Sequence, residues 1–424
     1  MKDEGKPVDP KREELGKLIE EAVAQFPDRQ NGRLILPDFS NTEIAFKYKS
    51  DADLRRALWL FRMMNKPWLV ALGATLAVWA VRLRVPFAER LIKNTVFRQF
   101  CGGTSLEETS RTIERLYRYQ VQTILDYGAE GKETEEEFEK TMRETVRALK
   151  FAASHESVPV VSSKISGLAR NELLEKVQGR EPEDEALRAE LAAVEKRLDT
   201  ICNMAAEQGV AVFFDAEESW YQDTINMLVN KMMSKYNRER AVVYNTFQLY
   251  RTDQLDYLKE SFERAQQEGY ILGAKLVRGA YMDKERERAK RLGYPSPIHP
   301  NKEATGRDYN EALTFCVEHY AEMASANASH NEESNRLQAE LIAEKGIVKN
   351  HPHLNFCQLY GMSDHLTFNL AQAGYNVAKY VPYGPVRDVL PYLVRRAEEN
   401  TSVTGDMSRE LALIQKEAKR RKLG

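Results

Sequence analysis

The chain is sparing in the features that announce many functions. It has four cysteines, Cys101, Cys202, Cys316 and Cys357. They lie far apart with no CxxC pair, which argues against a zinc site or a disulfide framework and for buried free thiols in a reducing compartment. No GxGxxG follows a strand-like run and no GxxxxGK[ST] occurs, so neither a Rossmann nor a P-loop nucleotide site is indicated. Net charge is −2, and the broad positive field of a nucleic-acid binder is missing. The start, MKDEGKPVDPKREEL, mixes acids with bases and has no apolar stretch, unlike a secretory signal or a transit peptide. His351 and His353 have no third metal ligand nearby and read as a loop entering a strand. No Ser–His–Asp set can be proposed from spacing.

One apolar run stands out, Pro67 to Val81 (PWLVALGATLAVWAV). It is shorter than the roughly 20 residues a spanning helix needs. Arg82, Arg84, Arg90 and Lys93 follow closely. Two readings stand: a core helix, or a helix lying on an anionic membrane surface with its bases toward the headgroups.

Apolar content of 42% and charged content of 30% are those of an ordinary globular protein. Residues 1–120 read as mainly helical, with Ser105 and Glu108 as a capping pair. Thr134 to Phe151 reads as a helix whose acids and bases suit the macrodipole. From residue 121 short β-rich runs recur: VQTILDYG, VPVVSSK, VAVFFDAE, AVVYNTFQ, GAKLVRGAY, AEMASANASHN, LNFCQLYG and NVAKYVPYG. Helix-forming stretches separate them. Continuous apolar runs suit strands buried on both faces, and eightfold alternation predicts an α/β fold, a (β/α)8 barrel over 121–405. The count reaches eight only if VQTILDYG is a barrel strand. Asn171 to Gly209 is expected to be one extended helical crossover with a solvated charged face, and the basic tail over 406–424, ending KEAKRRKLG, to fray.

Barrel enzymes place active groups at the C-terminal ends of their strands. Here those ends carry Lys164, Asp215, Glu217, Asn245, Gln248, Lys275, Arg278, Tyr281, Ser329, His330, Asn331 and Tyr380. After the last strand, Tyr392, Arg395, Arg396 and Glu399 share one helix face. Two adjacent guanidiniums suit a carboxylate ligand, each through two parallel hydrogen bonds; arginines paired to Glu398 and Glu399 on the surface are the alternative.

Five ordered motifs resemble the proline dehydrogenase family: DAEESWYQ (215–222), KLVRGAYM (275–282), SHNEES (329–334), FCQLYGMSD (356–364) and YLVRRAEEN (392–400). The similarity runs from about residue 95 to 405, and ERERAKRLGYPSPIHPNKEAT (285–305) is similar to the monofunctional branch. The resemblance implies a distorted barrel with its final helix over the mouth, and noncovalent FAD at the strand ends. It implies oxidation of L-proline to Δ1-pyrroline-5-carboxylate by hydride transfer to flavin N5, with electrons passed to a membrane quinone. Asp215 and Lys275 would be catalytic. Arg395, Arg396 and Lys164 would hold the proline carboxylate, and Tyr380, Tyr392, Leu276 and Leu359 would wall its ring. Ala216, Asn245, Val277, Arg278, Gly279, Ala280, Tyr281, Ser329, His330, Asn331, Gln358 and Glu399 would contact the cofactor. Many relatives have Arg in place of Lys275 and Gln in place of Asn245, which leaves those flavin contacts open. Glu130 would pair with Arg395 as a gate. The implied location is cytoplasmic, peripheral on the inner face of a respiratory membrane, or mitochondrial in a eukaryote. The alternatives are a hydroxyproline dehydrogenase, a flavin-free barrel lyase using Lys164 or Lys275 as a Schiff base, and a binding protein on a decayed barrel.

Overall fold

The eight β-rich runs become eight parallel strands of one closed barrel, in a computed structural model that describes residues 29–30, 33–34, 36–128, 131–180, 182, 184–402 and 406–423. The side chains of 398–402 and 406–408 lie outside that description. The strands are Gln122–Tyr127, Val160–Ser163, Ala211–Phe214, Val243–Gln248, Leu272–Val277, Met323–Ala328, Leu354–Leu359 and Val377–Tyr383. The eighth pairs with both the seventh and the first, from Ala378 opposite Gln122 to Tyr383 opposite Tyr127. VQTILDYG is therefore the strand that closes the ring.

Successive side chains of a strand face opposite sides, so each strand serves two layers. Inside lie Ile124, Phe213, Tyr244, Ala324, Ala326, Cys357, Ala378 and Tyr380. Outside, residues such as Leu125, Val212, Phe247 and Leu276 pack under the helices in the main hydrophobic core. The helices begin where their caps say. Ser105 accepts from the N–H of Glu108 at 3.3 Å and starts Leu106–Tyr117. Thr134 and Glu137 form a reciprocal capping box at the start of Glu135–Ala153. Such caps contribute about 1 kcal/mol each.

Three expectations change. The long crossover is two helices, Asn171–Val177 and Glu185–Gln208. Gln178 (φ 51°) and Gly179 (φ 72°) turn into the left-handed region and end the first. Its charge run does form surface ion pairs, Lys231 with Glu195 and Lys235 with Asp199. Arg197 differs: it is buried and ties the second helix to Glu135 and Glu139.

The apolar run becomes the helix Pro67–Arg82, with proline at the first helical position. It is not a core helix. Only Val70 and Val81 are buried, whereas Trp68 is 65% and Trp79 56% exposed. No helix among the described residues is long and apolar enough to cross a membrane.

The basic tail does not fray. Asp406–Arg420 is a helix whose Leu413, Ile414 and Ala418 join a second core with the helix Asp51–Met64. Arg421 donates to the carbonyls of Phe46 at 2.7 Å and Lys49 at 2.8 Å. Apolar residues four apart give this segment a buried stripe, and its last-turn bases suit the helix C-terminus. All four cysteines are buried and free.

Candidate active site

At the C-terminal mouth, polar side chains gather around one carboxylate. Asp215, just past the third strand, accepts from Lys275 Nζ at 2.5 Å, Lys164 Nζ at 2.9 Å and the Tyr380 hydroxyl at 2.6 Å. These partners come from the fifth strand, the residue just past the second, and the eighth strand, so only ring closure brings them together. Burial pushes the Asp215 carboxyl up, but Lys164 and Lys275 outweigh it, and it is held far below the carboxylate range. The Tyr380 phenol is pushed well above its ordinary value by burial, then by Asp126 and Asp215, and stays a hydrogen-bond donor. Lys275 also lies over the Tyr380 ring, 4.6 Å from its centroid.

The turn after the fifth strand supplies Arg278, Gly279, Ala280 and Tyr281. Gly279 has φ 135°, and a Cβ there would stand 2.3 Å from the Tyr250 ring, so only glycine fits. Arg278 is oriented by Ser329 at 2.5 Å and Ser334 at 2.9 Å, over the Tyr309 ring. Gln358 is held by Thr367, which donates to it at 2.8 Å, and by its own bond to Asn335. His330 Nδ1 pairs with Ser363 Oγ at 2.8 Å. Burial, aided by the charges of Lys379 and Arg396, lowers the His330 imidazole to about 3, so it is neutral near pH 7.

The helix Val386–Ser402 lies across this opening. Asp388, Tyr392, Arg395 and Arg396 line the cavity, while Val389, Leu390 and Leu393 pack into the second core with the N-terminal helices. Arg396 is buried, its guanidinium 5.2 Å from the centre of the Tyr392 ring. Lys164, Lys275, Arg278, Arg395 and Arg396 set five cations in the lining against the three carboxylates of Asp126, Asp215 and Asp388.

Most of the residues expected from sequence meet in this one cavity: Lys164, Asp215, Ala216, Lys275, Val277, Arg278, Gly279, Ala280, Tyr281, Ser329, His330, Gln358, Leu359, Tyr380, Tyr392, Arg395 and Arg396. Four do not line it, one being Glu217, which accepts from the Ser166 N–H at 2.9 Å. Leu276 alternates outward from Lys275 and Val277 and sits in the outer core. Asn245 likewise faces the helix behind its strand, donating to Asn226 at 3.0 Å. Asn331 caps the helix Glu332–Glu344, accepting from Ser334 N–H at 2.9 Å. Strand periodicity and cap geometry decide Leu276, Asn245 and Asn331. Glu130 and the Glu399 side chain lie outside the described residues.

Asp126, Tyr127, Thr246, Cys357 and Asp388 also line the cavity without having been singled out. Asp126 was readable, since it ends the first strand as Asp215 follows the third. Asp388 lies one helical turn before Tyr392, on the face already assigned to the arginines.

The donor set suits a flavin. Small residues at 216, 279, 280 and 328 leave a slot beside the strand ends, and Lys275, Arg278, Gln248 and Gln358 border it with donors. A flat ring with carbonyl and nitrogen acceptors, carrying an anionic chain, matches both features.

The chain is 34% identical over 375 residues to a mitochondrial proline dehydrogenase 1 of Dictyostelium discoideum, covering 78% of this chain and 65% of that protein's length. It is 32% identical over 416 residues to a hydroxyproline dehydrogenase of Xenopus laevis, covering 89% and 88%. Among solved structures, proline utilization A from Bdellovibrio bacteriovorus, inactivated by N-propargylglycine, superposes with a TM-score of 0.66 at 22% identity, over 92% of this chain and 41% of that one. That likeness concerns the fold. The family model described as "Proline dehydrogenase" matches residues 109–409. On that match and these relatives, the chain belongs to the proline dehydrogenase family.

Proposed function

We propose that the chain binds FAD noncovalently and oxidises L-proline to Δ1-pyrroline-5-carboxylate, passing the electrons to a membrane quinone. One observation carries the reading. The guanidiniums of Arg395 and Arg396 share a cavity with the Asp215, Lys164, Lys275 and Tyr380 cluster. A carboxylate anchored at the arginine end leaves the rest of a small imino acid facing the strand ends, where the slot for a flat ring lies.

Each protein group has a task. Arg395 and Arg396, with Lys164, hold the carboxylate. Tyr380, Tyr392 and Leu359 enclose the substrate ring. Five lining cations disfavour a protonated amine, and the neutral nitrogen's lone pair must support the iminium that forms. Asp215 fixes Lys275 and Tyr380 in place, and Lys275 would set positive charge beside a bound flavin. Val277, Arg278, Gly279, Ala280, Tyr281, Ala216, Ser329, His330 and Gln358 would contact the cofactor, which when bound accepts the hydride leaving the ring carbon. The Schiff-base alternative is not favoured, because both lysines are ion-paired to Asp215.

Tyr380 also bears on which imino acid is used. Its hydroxyl is held by two hydrogen bonds, one to Asp215 and one with the Ser162 hydroxyl, which fixes the phenol where a 4-hydroxyl group would have to fit. We therefore favour proline over hydroxyproline; faster turnover of hydroxyproline would reverse this.

For the quinone, Pro67–Arg82 gives a route to lipid. Trp68, Leu72, Leu76, Trp79 and Leu83 are exposed along it, and Arg82, Arg84 and Arg90 follow. An apolar ridge flanked by bases suits an anionic bilayer surface. Trp68→Asp with Trp79→Asp should abolish vesicle binding and leave the flavin spectrum unchanged.

The deciding experiment is an absorption spectrum of the purified protein. Flavin bands that bleach when proline is added anaerobically are expected. A colourless protein that takes up no added FAD rejects the proposal.

A further inference from the structure

A second concentration of positive charge lies away from the barrel mouth, where the N-terminal helices meet the loop after the seventh strand. Lys49, Arg56, Arg98 and Arg115 line a small cavity together with Asp53, Leu60, Tyr48 and Tyr360. Its volume is about 50 Å³, room for one small ion. The local charges do not balance. Asp53 is shared by Arg56 at 3.3 Å and Arg98 at 3.5 Å. Lys49 pairs with Asp364 at 3.3 Å. Arg115 donates one terminal nitrogen to the Tyr360 hydroxyl at 2.5 Å, and its Nε is buried with no acceptor. Four cations therefore meet two carboxylates, and one buried donor is left unmet.

A buried donor without an acceptor is costly unless something fills the place. Tyr48, Tyr360 and Leu60 narrow the cavity and keep the local dielectric low, which strengthens attraction for an anion. Guanidinium forks match the oxygen spacing of phosphate. We propose that this cavity binds a phosphate group, either free inorganic phosphate or the headgroup of an anionic lipid, with Arg56, Arg98 and Arg115 as its ligands. The site ties the N-terminal helices to the barrel: Gln99 donates to the Gly361 carbonyl at 2.7 Å, and Tyr48 donates to Asp364 at 2.8 Å. Occupancy thus stabilises that junction by mass action. The proposal does not depend on the redox reading, because its readout is binding.

The test is thermal unfolding and titration calorimetry of the full chain with inorganic phosphate, against chloride at matched ionic strength. One binding site and a midpoint rise of several degrees are expected for wild type. Arg98→Gln, at an exposed position, should remove both, and Arg98→Lys should retain part. If Arg98→Gln is unstable without phosphate, Arg56→Gln replaces it. Loss of calorimetric phosphate binding in the presence of phosphatidylglycerol vesicles, but not phosphatidylcholine vesicles, would assign the site to lipid headgroups. No such competition would assign it to free phosphate. Equal midpoint shifts in chloride and phosphate, or an unchanged shift in Arg98→Gln, would overturn the proposal.

Discussion

The molecule contains the same ionic kit twice, and only one copy opens on the barrel mouth. Inside the barrel, Asp215 meets Lys164, Lys275 and Tyr380. Outside it, Asp364 meets Lys49 at 3.3 Å, Lys379 at 3.0 Å and the Tyr48 hydroxyl at 2.8 Å. The two clusters are linked through neighbouring residues, because Lys379 and Tyr380 are adjacent on the eighth strand and point to opposite sides. Both aspartates are held low, Asp364 at about 2, where Lys49 and Lys379 overcome the effect of burial. Surroundings differ: the inner lysines line a cavity, while Lys379 is wholly buried and braces the carbonyls of Leu359 and Met362. One aspartate, two lysines and a tyrosine can thus be machinery or scaffolding. The inner cluster shares the barrel-mouth cavity with Arg395 and Arg396, whereas the outer one borders only the small cavity lined by Tyr48 and Lys49, and that makes the difference.

The sharpest way to break this comparison is to remove that cation pair. Arg396→Ala should lower kcat/KM for proline by roughly a hundredfold to a thousandfold, the scale of a lost charge-assisted clamp, mostly through KM. Steady-state rates on flavin-loaded protein check it, and an unchanged KM would leave the inner cluster no better assigned than the outer one. Exchanging the aspartates comes next. Asp364→Ala should cost about 3–5 kcal/mol of stability by stranding buried ammonium groups, with activity per folded molecule kept. Asp215→Asn should cost far less stability, since the cavity can admit water, yet lower turnover about tenfold or more. Denaturant midpoints read beside rates separate the two.

Acidity sharpens it further. The Asp364 carboxyl is ionised in the folded state down to about pH 2 and in the unfolded state only to its ordinary value near 4. Its stabilisation is full above pH 4 and is lost as pH falls toward 2. Glu217, two residues beyond Asp215, is bonded by Ser166 instead of an ammonium group, and burial lifts it to about 7. The sign is opposite: stability is full below its ordinary value near 4.5 and declines as pH rises through 7. Thermal midpoints of Glu217→Gln should therefore fall less between pH 5 and 8 than those of wild type. The smallest effect separates the tyrosines. Tyr48→Phe loses one buried hydrogen bond and Tyr380→Phe two, about 1 kcal/mol each, but only Tyr380→Phe should alter the proline-to-hydroxyproline rate ratio.

Much of the site was legible before any coordinates. Strand-end residues such as Asp215, Lys275 and Arg278 followed from the barrel rule, and Arg395 and Arg396 from helix spacing plus the family resemblance. Leu276 and Asn245 were misplaced because a motif names residues in a row, whereas a strand sends alternate side chains to opposite faces. Asn331 was misplaced because a helix start claims its side chain. The tail looked frayed because its end is basic; its buried stripe of Leu413, Ile414 and Ala418 was the signal to read.

From the sequence alone came the element order, the eight strands, the helix caps and the chemical types at the mouth, because these rest on local propensity and on periods of two or 3.6 residues. Only the tertiary structure decided that Lys164, Asp215, Lys275 and Tyr380 meet, that Lys379 sits buried in a second copy of the same cluster, and that Pro67–Arg82 is exposed along most of its length. Those outcomes depend on ring closure and on which faces find neighbours, and contacts between distant residues leave no mark on local pattern.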